Sequence, residues 1–167
     1  MKFTSLPFLL ISLMIPANAD LNASFTSSGK SKTKQVAVPA LFVDKGESPA
    51  AGLPVGPFIA SYTGKLSIPK RFRISFSVES EGKVELKVNE EEVTFSEGKS
   101  DRIRLNPGEV PIEITFTSPD SGAGYFRLYW EERREFPREP IPASVFTSLN
   151  EAPINAAHLF ADHNCIQ

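Results

Sequence analysis

The chain has 167 residues, a formal charge of −2, 13 Phe, 14 Pro and a single Cys. That length suits one domain with a sizeable core. The acidic balance argues against the basic face that nucleic-acid binding needs, and one Cys excludes an internal disulfide, so the core must supply the stability.

The first segment reads as an export signal. Lys2 gives a positive start, the run Phe8 to Ile15 is apolar apart from Ser12, and Ala17-Asn18-Ala19 sets small residues where a signal peptidase cuts. The run is too short for a membrane span, which needs about 20 apolar residues. Residues 1–19 are therefore expected to be removed, leaving no transmembrane segment. The protein is expected outside the cytoplasm: periplasmic, on the cell surface or secreted. No Cys near the cut offers a lipid anchor.

Residues Asp20 to Lys34 are rich in Ser, Thr and Lys and read as a flexible entry or a poorly packed first strand. Val36 to Val43 is apolar on both faces, which suits a central strand or one covered by a loop, and Pro39 argues against the central position. Alternation then takes over. Phe58, Ala60, Tyr62, Leu66 and Ile68 share one side; so do Phe72, Ile74, Phe76 and Val78; then Val84, Leu86 and Val88; then Val110, Ile112, Ile114 and Phe116; and last Phe126, Leu128 and Trp130. A period of two over five segments predicts strands with one buried and one wet face, which antiparallel sheets tolerate.

The connections agree. Glu81-Gly82, Asn106-Pro107-Gly108 and Pro119-Asp120-Ser121-Gly122 separate strands, and Asn89-Glu90 suits a tight hairpin into a short strand at Val93–Phe95. Ser96 to Ser100 turns around Gly98. Strands at this spacing predict an all-β sandwich or barrel. After Trp130 the chain becomes charged, and Pro137, Pro140 and Pro142 predict a rigid, extended exit. Ile154 to Asn164 has helical spacing, so a short C-terminal helix is expected.

Phe-Arg-Leu-Tyr-Trp-Glu at 126–131 and Phe-Pro-Arg-Glu-Pro-Ile-Pro-Ala-Ser-Val-Phe at 136–146 resemble the last strand and exit of the PA-fourteen domain, a lectin-like β-sandwich. The segment 58–69 is similar to that family's extended, aromatic, Gly-containing strand. Residues 72–83 resemble its central hairpin, and 84–90 its next strand and turn. The resemblance implies an antiparallel β-sandwich over residues 20–147 that acts as a non-catalytic binding module for carbohydrate.

In sugar-binding members of the family, paired Asp residues hold a Ca²⁺ ion, which takes about 6–8 oxygen ligands. This chain has no Asp-Asp pair and reads Ser80-Glu81-Gly82 where the family often has Asp-Asp-Gly, so calcium is not expected. Glu79 and Glu81 keep the acidic character. Tyr129, on the wet side of its strand, is the candidate aromatic platform. These three are the candidate ligand contacts, for a glycan partner. Trp130 and Tyr62 fall on the core side.

Residues 148–167 form a linker and tail. Cys165-Ile166-Gln167 matches the start of Cys-x-x-Cys-His, through which c-type haem is attached. Leu159-Phe160 before it resembles the first helix of a cytochrome c domain. The expectation is a longer exported polypeptide continuing into a haem domain, with Cys165 as a thioether ligand. His158, His163 and Cys165 lack zinc spacing, so no metal site is assigned. Both His residues lie in the tail, so no Ser-His or Cys-His pair belongs to the sandwich and no enzyme is expected. The competing function is a structural or protein-interaction spacer that positions an electron-transfer domain.

Overall fold

A computed structural model describes residues 21–147. The leader at 1–19, the helical pattern at 154–164 and Cys165 lie outside the described residues. The strands are β1 (Leu21–Ser27), β2 (Lys30–Val36), β3 (Ala40–Val43), β4 (Phe58–Ile68), β5 (Phe72–Glu81), β6 (Lys83–Val88) and β7 (Glu91–Val93). They continue as β8 (Phe95–Ser96), β9 (Lys99–Ser100), β10 (Ile103–Leu105), β11 (Gly108–Thr117), β12 (Gly124–Glu132), β13 (Phe136–Pro140) and β14 (Phe146–Thr147). One sheet runs β2-β1-β4-β11-β6-β7, with β14 also on β4; the other runs β13-β12-β5-β9-β8, with β10 on β5 and β3 on β12. The sheets face each other as an antiparallel β-sandwich, as the alternation and the resemblance predict.

The alternating apolar residues fill the space between the sheets. Ile74, Phe76, Ile114, Phe116, Phe126 and Leu128 are all essentially inaccessible to solvent. Burying each large side chain contributes about 1.5–3 kcal/mol. An aromatic chain crosses the core: Phe25 to Tyr62 at 6.1 Å, Tyr62 to Phe126 at 5.3 Å, and Phe126 stacked on Phe116 at 5.4 Å. Tyr62 and Trp130 are core residues, as their parity predicts. Two buried hydroxyls close gaps in the backbone bonding: Ser118 accepts from the Phe58 amide and Ser100 from the Phe76 amide, each at 2.9 Å.

The first strand corrects its sequence reading. Leu21, Ala23 and Phe25 are buried, and β1 lies between β2 and β4. Its polar residues occupy the outward positions, so a Ser- and Thr-rich composition conceals a period-two strand. Lysine-rich β2 is the edge of that sheet, where charge discourages further pairing. The segment 36–43 is neither of the strands expected for it. It breaks at Pro39, leaving β2 in one sheet and β3 in the other.

The resemblance to a central hairpin over 72–83 is also corrected. β5 and β6 belong to different sheets, and Glu81-Gly82 carries the chain across the sandwich. Gly82 has φ +132°, and a Cβ there would stand 2.6 Å from the Phe116 ring and 2.7 Å from the Thr117 carbonyl. Only glycine fits that corner. The short strand placed at Val93–Phe95 divides in the same way: β7 pairs with β6, and β8 crosses to pair with β9. The hairpin at Asn89-Glu90 forms as expected, with φ of 54° and 67°, the type I′ geometry that suits the twist of paired strands.

The exit after Trp130 does not leave the domain directly. It folds back as β13 on β12, pairing Glu139 with Trp130 and Pro140 with Tyr129. Its prolines are tolerated because β13 is an edge strand. Phe136 anchors the return, 4.9 Å from Trp130 and 6.0 Å from Phe72 between ring centroids.

Candidate functional site

The outward positions of the second sheet gather the polar and aromatic side chains. Residues directly opposite each other on neighbouring strands share a face. Three rows follow from the register: Glu81, Tyr125 and Phe42; then Glu79, Arg127 and Ala40; then Ser77, Tyr129 and Pro140. β3 and β13 occupy the same edge of β12 end to end. Beside that junction lies a shallow groove of about 380 Å³, lined by Phe42, Glu79, Tyr125, Arg127 and Tyr129 among others.

Two of the three sequence candidates meet here. Tyr129 Oη donates to Glu79 Oε2 at 2.9 Å. Arg138, reaching over from β13, donates from Nη2 to Glu79 Oε1 at 2.7 Å and from Nε to Ser77 Oγ at 2.9 Å. The Arg138 guanidinium lies 3.7 Å from the centre of the Tyr129 ring, a cation–π stack. The hydrogen bonds from Arg138 and Tyr129 hold the Glu79 carboxyl below the ordinary carboxylate range. Glu81 stands apart from this cluster, exposed at the end of β5 and opposite Tyr125. Cys165 lies outside the described residues.

Sequence reasoning missed Phe42, Tyr125 and Arg138. Phe42 is 71% exposed and Tyr125 40% exposed, both among the large exposed hydrophobics. Tyr125 has the same parity as Tyr129, which is the signal that could have found it. Phe42 was concealed in a run that looked apolar on both faces. Arg138 belongs to a proline-rich stretch with no visible period.

Glu79 has both oxygens engaged by protein donors, and no group of three or more His, Cys, Asp or Glu side chains suited to a metal occurs among the described residues. No helix there is long and apolar enough to cross a membrane. The groove offers exposed aromatic faces beside fixed donors and acceptors, which is the make-up of a ligand-contact surface.

Comparison with known proteins bears on the fold. No family model matches the chain, and no curated protein matches it in sequence. Solved structures do match. The PA14 domain of the antifreeze protein MpAFP superposes with a TM-score of 0.59 at 12% identity, covering 92% of this chain and 100% of that one. The A domain of Epithelial Adhesin 6 from Candida glabrata, solved in complex with Galb1-3GlcNAc, gives 0.58 at 10% identity, covering 81% and 89%. An anti-sigma factor domain-containing protein from Clostridium clariflavum gives 0.67 at 15% identity over 80% of this chain, which spans 48% of that protein. The chain thus has the PA14-like β-sandwich fold. A β-glucosidase from Kluyveromyces marxianus contains a similar sandwich as 18% of its length, with a TM-score of 0.53, so the fold also occurs as one part of an enzyme chain.

Proposed function

We propose that this sandwich is a non-catalytic, extracytoplasmic module that binds carbohydrate in the groove on the outer face of its second sheet. The observation that carries the proposal is the exposure of Phe42 and Tyr125 side by side on paired strands, next to the Glu79–Tyr129–Arg138 cluster. Apolar sugar faces stack on aromatic rings, and sugar hydroxyls exchange hydrogen bonds with fixed carboxylate and guanidinium groups. The fold of the adhesin domain solved with a disaccharide supports the reading by analogy of architecture. The export pattern at residues 1–19 supports the location.

The test is a glycan-array screen of the purified chain, followed by titration of the best ligand against a Phe42→Ala, Tyr125→Ala double variant. Both side chains are solvent-exposed, so the variant is expected to keep the parent's melting temperature. Its affinity is expected to fall about tenfold or more, since each stacked ring contributes about 0.5–1.5 kcal/mol beyond its buried area. A screen in which no glycan binds, with or without calcium, would sink the proposal. So would a double variant that binds as the parent does.

A further inference from the structure

The other end of the same face carries an arginine cluster that neither the fold nor the groove employs. Arg73, Arg102, Arg133 and Arg134 line one hollow of about 470 Å³ together with Glu132. Arg104 on β10 lies directly opposite Arg73 on β5. None of these five makes an ion pair among the described residues. The neighbouring carboxylates are engaged elsewhere. Glu131 pairs with Lys99, and Glu135 with Lys70 at 2.8 Å. Glu132 Oε2 accepts the backbone amides of Arg134 and Glu135 at 2.7 and 3.0 Å, fastening the β12–β13 turn. Neither Asp101 nor Glu132 makes an ion pair with these arginines among the described residues.

Like charges set directly opposite on paired strands destabilise a sheet. Four guanidinium groups line this hollow without an ion pair among the described residues, and a fifth lies opposite one of them, against the local rules that the rest of the domain obeys; such violations concentrate at functional sites. Guanidinium groups bind carboxylate and sulfate through paired, planar hydrogen bonds, better than ammonium groups do. From this geometry we infer a second contact site, for the carboxylate or sulfate groups of an anionic polysaccharide. Nucleic acid fits less well: the whole chain carries a charge of −2, and acidic residues ring the hollow instead of a basic stripe. Arg73 lies six positions from Glu79 on β5, roughly 20 Å at about 3.3 Å per residue. One extended polymer lying along β5 would reach both sites. That link to the groove rests on the carbohydrate reading above; the arginine site itself does not.

The experiment titrates the full chain with dextran sulfate, polygalacturonate, neutral dextran and oligothymidylate at about 0.15 M ionic strength, where the Debye length is about 8 Å. At least one of the two anionic polysaccharides is expected to bind, neutral dextran is not expected to occupy this site, and added salt is expected to weaken the binding. Replacing Arg102→Gln, Arg133→Ser and Arg134→Ser together is expected to weaken it about tenfold or more. Arg102→Gln alone serves if the triple variant loses its fold. The groove variant Phe42→Ala, Tyr125→Ala is expected to retain a measurable, salt-sensitive interaction with the anionic polysaccharide. The inference is overturned if neither anionic polysaccharide binds, if the folded arginine variants bind as the parent does, or if oligothymidylate binds more tightly than both. A failed glycan screen at the groove with an intact arginine effect would sink the carbohydrate-groove reading alone.

Discussion

The two ends of the outer face of the second sheet treat charge in opposite ways. At the groove end Glu79 is matched to Arg138 and Tyr129, and Arg138 covers the Tyr129 ring. At the other end Arg73 lies directly opposite Arg104, and neither makes an ion pair among the described residues. Both ends stand on the same strands and the same core. The contrast teaches that the cluster at the groove contributes to its own stability, whereas the arginine end leaves part of its potential interaction unused in the isolated chain. An external partner has more to offer at the second end.

The largest expected effect removes the foundation common to both. Gly82→Ala forces a Cβ to within 2.6 Å of the Phe116 ring, at a φ of +132° that L side chains rarely adopt. Strain at such a position costs on the order of 1–3 kcal/mol, and displacement of Phe116 from the core adds to it. Chemical denaturation is expected to show a loss of at least about 2 kcal/mol at an unchanged m-value. A variant within about 0.5 kcal/mol of the parent would mean that the corner can relax and that the crossing is not what demands glycine.

An intermediate and opposite pair of effects sharpens the comparison. Arg138→Ala removes the stack on Tyr129 and is expected to destabilise the fold by about 0.5–1 kcal/mol. Arg73→Thr removes a like-charge opposition and adds a good strand former, and is expected to stabilise by about 0.2–1 kcal/mol at low salt. Thermal melts at low and high ionic strength read both. The gain from Arg73→Thr is expected to shrink with salt, because screening already relieves the repulsion. Loss of stability in both variants would show that the arginine end is as self-supporting as the groove.

The buried half of each strand was legible in the sequence because burial leaves a period of two, and Phe72 to Val78, Val110 to Phe116 and Phe126 to Trp130 carry it plainly. Sheet membership was not. A residue pattern states which side of a strand is wet, but says nothing of which sheet the strand joins. So Glu81-Gly82 reads as a turn between neighbouring strands and Val93–Phe95 as one short strand, although the chain crosses between the sheets at both places. β1 was obscured by small and polar residues at its outward positions. Glu79 and Tyr129 were found separately, by acidity and by parity. Their hydrogen bond could not be, since it depends on β5 and β12 pairing with a register 50 residues apart in sequence. The arginine cluster is likewise assembled from β5, the 101–102 loop and the β12–β13 turn, three segments with no shared sequence pattern.

The smallest expected effect separates the two ends by acid titration. The Glu79 carboxyl is held below its ordinary value by hydrogen bonds from Arg138 and then from Tyr129. A carboxyl whose folded pKa is depressed contributes stability that is present above its unfolded value and is lost as pH falls through the lowered, folded value. The cluster is therefore expected to persist at and somewhat below the ordinary Glu range and to come apart only in stronger acid. Because Glu79 is exposed, solvent screening keeps the contribution small. Carboxyl NMR read against pH gives the midpoint for Glu79 directly, and Arg138→Ala is expected to move it upward. A Glu79 midpoint at or above the ordinary value, or one that Arg138→Ala leaves in place, would remove the charge-matched cluster from the groove and with it the contrast between the two ends.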